Sequence, residues 1–186
     1  NPHVQAFFRK WLVDLADAQR EHGQFPMVAP LKVAGSDGGP AWADAGVICP
    51  WTMYEAYGDD RLLARAYPAM KRFLAFCEQR SGEDCLPPAE FHCFGDWVAV
   101  GGDTPHEVIY TAYFAKCAGL MEKSADALGF AADAAYYRQL FERIRRAFNA
   151  AYVDGEGKIR GETQWGYALA PSFEVLAGLR RERGAR

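Results

Sequence analysis

Apolar residues recur at intervals of three and four along most of the chain, the spacing that lays one stripe along an α-helix. In residues 2–21 the stripe is Val4, Phe7, Phe8, Trp11, Leu12 and Leu15, with Asn1 suited to the N-cap and Pro2 to the first helical position. Gly23 ends that segment. A second helix is predicted from about Trp42 to Tyr57, stopped by Gly58 and kinked by Pro50. Asp59 and Asp60 should cap a short turn through Leu62 and Leu63, and Pro68 should start a separate helix to about Gln79. Thr104-Pro105-His106-Glu107 reads as a capping box ahead of a stripe through Ile109, Tyr113, Cys117, Leu120 and Leu128, closed by Gly129. Residues 131–151 repeat the pattern with Tyr137, Leu140, Ile144 and Phe148. Asp154-Gly155-Glu156-Gly157 is a turn, and a last helix should begin near Thr163 and be interrupted by Pro171. The polar tail at 180–186 should be frayed.

Between these segments lie two long loops. Residues 24–41 carry three prolines and three glycines, and residues 81–104 run from Ser81-Gly82 to Gly101-Gly102-Asp103. Ordered loops of that length are often functional. The apolar pieces FHCF and WVAV in the second loop could form short extended stretches, but no segment reads as a central strand. The expectation is an all-α fold of antiparallel helical hairpins, with residues 1–186 forming a single domain.

Composition narrows the function. Half of the 186 residues are hydrophobic, which fits a globular protein, and 14% are aromatic, with 12 Phe, 9 Tyr and 5 Trp to be buried or set in a groove. A net charge of −3 gives no bias toward nucleic acid, and no apolar run approaches the roughly twenty residues of a membrane span. Five cysteines without CxxC spacing argue against a disulfide framework and favour a reducing, cytoplasmic compartment. The chain starts Asn-Pro without a signal peptide, so the natural N-terminus is expected to lie upstream.

Each long loop ends in a similar constellation. The first closes on Asp37-Gly38-Gly39-Pro40-Ala41-Trp42-Ala43-Asp44, and the second contains Phe94-Gly95-Asp96-Trp97. An indole face suits the C–H face of a sugar ring, and a carboxylate accepts paired hydroxyl hydrogen bonds. A buried Trp beside an N-capping Asp explains either site alone, but two such sites in one chain tilt the reading toward sugar. His92 and Cys93 with Cys85 and His106 match no standard zinc spacing, so neither a metal nor another cofactor is expected. Cys49, Cys77 and Cys117 sit on apolar stripes and read as core. No GxSxG is present, and Gly101-Gly102 lacks the Lys-Ser/Thr of a P-loop.

The strings GQFPMVAP at 23–30 and DGGPAWADAGVICPWTMYEAYGDD at 37–60 resemble the α-L-rhamnosidases of glycoside hydrolase family 78. FGDW at 94–97, TAYF at 111–114 and Thr163-Gln164 follow in the family's order. The resemblance implies an (α/α)6 toroid, of which six helices would form about half, around a sugar pocket bordered by Asp37, Trp42, Asp44, Asp96 and Trp97. It also implies hydrolysis of terminal α-L-rhamnosides by inversion, without a metal. Inversion needs an acid and a base carboxylate about 6.5–9.5 Å apart. The family's general-acid motif corresponds to a position upstream of Asn1 and its general base to one downstream of Arg186. The chain is therefore expected to be a fragment or reduced relative, inactive alone, with no catalytic residue of its own. Carbohydrate binding without catalysis, or pairing of exposed apolar helix faces between two copies, are the alternative expectations. Pro171 and the basic tail depart from the family's helix.

Overall fold

The computed structural model describes residues 4–33, 38–97, 99 and 101–176. They form six helices: α1 (Val4–Asp17), α2 (Ala45–Tyr57), α3 (Asp60–Ser81), α4 (His106–Ala127), α5 (Ala131–Tyr152) and α6 (Gln164–Ser172). Among the described residues no β-strand forms. Val153 and Ile159 make an isolated antiparallel bridge around the 154–157 turn, where the Asp154 carboxylate accepts the Glu156 and Lys158 amides at 2.9 Å each. The tail at 180–186, the N-cap candidate Asn1 and the first-position candidate Pro2 lie outside the described residues.

The helices divide into two layers. Helix α1 packs on α3, while α2 packs on α4 and α4 on α6, and chain neighbours pack in sequence from α1 through α5. The α1–α3 layer continues into α5 through Lys71–Asp133 at 2.8 Å and Arg143–Glu78 at 3.1 Å. Burial follows the layers. On α4 five consecutive residues, Val108 to Ala112, are all buried, which only a helix covered on every side allows. On α5 burial falls at Ala134, Tyr137, Leu140, Ile144 and Phe148, a single stripe. Helices α2, α4 and α6 are thus the inner row and α1, α3 and α5 the outer. That alternation is the pattern of about half an (α/α)6 toroid.

Contacts fix the direction of the tightest hairpin. Glu122 pairs with Arg138 at 2.7 Å, Gly119 faces the Phe141 ring, and Thr111 reaches the Tyr152 hydroxyl at 3.4 Å. Numbers fall along α4 as they rise along α5, so the pair is antiparallel. Between α3 and α4, the buried Ser81 and Tyr110 hydroxyls share a hydrogen bond of 2.9 Å.

Two local expectations are corrected. Asp59 caps α3 by accepting the Leu62 amide at 3.1 Å, but α3 then runs unbroken through Pro68. A mid-helix proline costs about 3 kcal/mol. Leu63, Tyr67, Met70 and Leu74 stay in phase across it and are all buried, while Pro68 itself is exposed. The capping box does not form. Pro105 occupies the N-cap of α4 and makes no side-chain cap. Thr104 therefore lies one residue too early, its hydroxyl meets that of Thr163 at 2.6 Å, and Glu107 pairs with Arg160 at 3.3 Å. Residues 91–94, the FHCF piece, are not a strand. Thr163 does cap α6, accepting the Gly166 amide at 3.1 Å, and α6 ends at Ser172, one residue past Pro171.

Candidate functional site

The segments that precede the inner helices meet at one end of the bundle. Residues 38–44 lead into α2, 91–105 into α4 and 161–163 into α6. Two close approaches hold them together. A Cβ added to Gly39 would stand 2.2 Å from the His92 carbonyl oxygen, so the first two loops touch where only glycine fits. A Cβ on Gly161 would stand 2.5 Å from the Pro105 ring, which joins the third loop to the second.

At the first contact four aromatic rings gather. Trp42 lies 4.9 Å from Phe94 and 6.1 Å from Trp97, Phe94 lies 6.0 Å from Trp97, and His92 meets Phe94 edge-on at 4.4 Å. Both indoles spend their N–H on backbone: Trp42 Nε1 donates to the Met27 carbonyl at 2.6 Å and Trp97 Nε1 to Phe94 at 2.8 Å. Their polar tips are satisfied, yet Trp42 remains 41% exposed and Trp97 73%. Exposed faces with satisfied edges make a platform for an apolar or C–H surface.

The two carboxylates differ. Asp96 is half-buried beside the platform, where the buried Thr104 hydroxyl donates to it at 3.5 Å. Asp44 is buried below Trp42, at the N-cap position of α2, but makes no capping bond. One of its oxygens accepts the Ala41 amide at 2.7 Å and the other the Cys117 thiol at 3.2 Å. Burial pushes its carboxyl up to about 6, against the pull of those hydrogen bonds. Burial also holds the neighbouring Cys77 and Cys117 thiols well above their ordinary value, with the Asp44 charge adding to it. A cavity below the loops is lined by Asp44, Phe73, Cys77, Tyr110 and Phe114.

Of the sequence candidates, Trp42, Asp96 and Trp97 thus stand around one surface patch, Asp44 stands beneath it, and Asp37 lies outside the described residues. Phe94 and His92 complete the patch without having been singled out for it. In the sequence FGDW points to sugar through its Trp and Asp alone, and His92 reads only as a metal ligand of no standard spacing. Among the described residues no three His, Cys, Asp or Glu side chains form a metal-holding group, and His92, Cys93, Cys85 and His106 do not gather into one. All five cysteines are free. No helix of the described residues is long and apolar enough to cross a membrane.

An inner and an outer row of helices, with aromatic loops at the inner helices' N-terminal ends, define an all-α helical-hairpin domain. The chain belongs to the bacterial α-L-rhamnosidase six-hairpin glycosidase domain family, which it matches over residues 1–185. It is 45% identical over 179 residues to an α-L-rhamnosidase of Streptomyces avermitilis, covering 96% of this chain and 17% of that protein. A Formosa agariphila α-L-rhamnosidase is 31% identical over 190 residues, covering 98% and 20% respectively. The crystal structure of a Streptomyces avermitilis α-L-rhamnosidase complexed with L-rhamnose superposes with a TM-score of 0.87 at 44% identity, over 94% of this chain and 16% of that one. The chain therefore spans about a fifth or less of the length of these relatives.

Proposed function

We propose that this chain supplies part of the sugar-binding wall of an α-L-rhamnosidase catalytic domain. The observation that carries the reading is the convergence of Trp42, Phe94 and Trp97 from two loops onto one exposed platform. The indole faces would stack on the C–H face of a terminal rhamnose, and Asp96 at the platform's edge would accept its hydroxyls. Asp44, buried beneath the platform, would hold the turn under Trp42 rather than meet the sugar. The S. avermitilis relative crystallised with L-rhamnose supports that choice of sugar.

Hydrolysis by inversion requires two carboxylates facing each other across the scissile bond with room for a water. Asp96 is the sole carboxylate among the proposed platform contacts, so the chain alone binds sugar and does not cleave it. Loss of a single general acid or base costs roughly 10²–10⁴-fold, and lacking both costs more. Assay of the purified chain with an aryl α-L-rhamnoside tests this. No turnover above buffer is expected, whereas turnover abolished by Asp96→Asn would overturn it. A second reading, self-association, draws on Phe7, which is 65% exposed on α1 beside Phe8. Light scattering over a concentration series discriminates: growth of a dimer that Phe7→Ser abolishes supports pairing, and an unchanging monomer mass excludes it.

A further inference from the structure

We infer that Cys117 is a positioning residue for the aromatic platform: its thiol holds Asp44, and Asp44 holds the turn that presents Trp42. The inference rests on the sugar-wall reading for its functional consequence only. Cys117 lies on the inner helix α4 and is fully buried. Its S–H points to one Asp44 oxygen at 3.2 Å, while the other oxygen accepts the Ala41 amide at 2.7 Å. A thiol is a weak donor, but one aimed at a carboxylate is charge-assisted.

Ala41 explains why the turn needs an anchor. Its φ is +65°, a left-handed conformation in a residue that is not glycine. Such a residue costs of order 1–3 kcal/mol and persists only where its surroundings over-determine it. The Asp44 carboxylate supplies that constraint from inside the fold. Immediately after it, the Trp42 and Ala43 amides both bond the Gly39 carbonyl, at 3.2 and 2.9 Å, and the Trp42 indole bonds Met27. Two hydrogen bonds therefore run from α4 through Cys117 and Asp44 to Ala41, whose next residue along the chain carries the ring that faces solvent. The spacing of Cys117 on an apolar stripe accounts for its burial but not for a thiol there, and an alanine or valine would fill such a stripe equally well.

Amide hydrogen exchange resolved by residue tests the path in the chain itself, comparing Cys117→Ala, which removes the donor, with Cys117→Ser, which keeps one. Exchange at Ala41 should rise roughly tenfold in Cys117→Ala, with α5 amides such as Ile144 unchanged, and fall back in Cys117→Ser. Unchanged protection at Ala41 in Cys117→Ala would overturn the inference, as would an equal rise at Ala41 and across α5 in both variants. If Cys117→Ala does not fold, the infrared S–H stretch of the unsubstituted chain decides. The band that Cys117→Ser removes should lie below the other thiol bands, including that of Cys85, which donates more weakly to the Glu83 carbonyl at 3.8 Å, and loss of an undisplaced band would contradict the bond. Calorimetric titration with L-rhamnose adds the functional arm: affinity should weaken roughly tenfold in Cys117→Ala and recover in Cys117→Ser. If the unsubstituted chain gives no heat with rhamnose, the sugar reading fails while the exchange arm still decides the positioning role.

Discussion

The indole rings of Trp42 and Trp97 stand 6.1 Å apart although one precedes α2 and the other precedes α4. Phe94 sits within ring contact of both, and each such aromatic pair contributes about 0.5–1.5 kcal/mol. The pairing ties the two longest loops together at the point where their outer faces stay exposed. What the fold stabilises here is a surface rather than a core.

Gly39 is the first control point. Adding a methyl there would drive it against the His92 carbonyl, a backbone atom that cannot swing aside. Gly39→Ala should therefore separate the loops, losing about 1–3 kcal/mol of stability and shifting the indole resonances of both Trp42 and Trp97. Gly102→Ala, where an added Cβ meets open space, is the control and should leave both resonances in place. Two-dimensional NMR of the indole N–H groups reads both outcomes.

Asp44 should give the protein an unusual pH response. Its carboxyl holds a proton up to about pH 6 in the folded state, against an ordinary value of 3.8. Between those values the folded state binds more protons than the unfolded one, so this group's contribution falls as pH rises from about 4 to 6 and is flat above. The span amounts to ~3 kcal/mol at about 1.4 kcal/mol per pH unit. The groups around the carboxyl are Cys77 of α3, Cys93 of the second loop, and Tyr110, Tyr113 and Cys117 of α4, all raised above their ordinary values by burial and so neutral across this range. Arg80 and His92 line the cavity beside Asp44. Asp133 and Asp154, whose carboxyls are lowered, act in the opposite sense, losing their contribution as pH falls below about 4. Urea midpoints measured from pH 4.5 to 7 should decline with rising pH, and Asp44→Asn should flatten that slope.

Asp59 joins two outer helices, α1 and α3, through one side chain. It caps α3 at the Leu62 amide and pairs with Arg9 of α1 at 2.7 Å. Loss of a capping side chain costs about 0.5–2 kcal/mol, and the half-exposed ion pair adds less than about 1. Asp59→Ala should lower stability by about 1–2 kcal/mol by urea denaturation, and Asp59→Asn should recover the capping share.

Much of the fold was legible from the spacing of apolar residues. The stripes that end at Gly58 and Gly129 mark real helix ends, because a left-handed glycine is the cheapest stop. Pro68 misled because local geometry suggested a start, whereas the buried stripe running through it outweighs one lost hydrogen bond. Thr104 misled for a related reason: its hydroxyl found Thr163, a residue on another loop that no local spacing reveals. The platform was half legible. Trp42 and Trp97 declared themselves by repeated Trp-Asp pairing, but the contact between Gly39 and His92 that unites them is a tertiary fact. Cys117 read correctly as buried, and only the structure gives its thiol a partner.

Isothermal titration of the chain with L-rhamnose, repeated with Trp42→Ala and Trp97→Ala, bears most directly on the sugar-wall reading. Trp97 is largely exposed but makes two ring contacts, so Trp97→Ala should keep the fold while losing about 1–3 kcal/mol of stability, which the urea midpoint reads. The account predicts saturable heat for the unsubstituted chain and an affinity at least roughly tenfold weaker in each variant. Heat of equal size and affinity in all three proteins, or none in any, would contradict it.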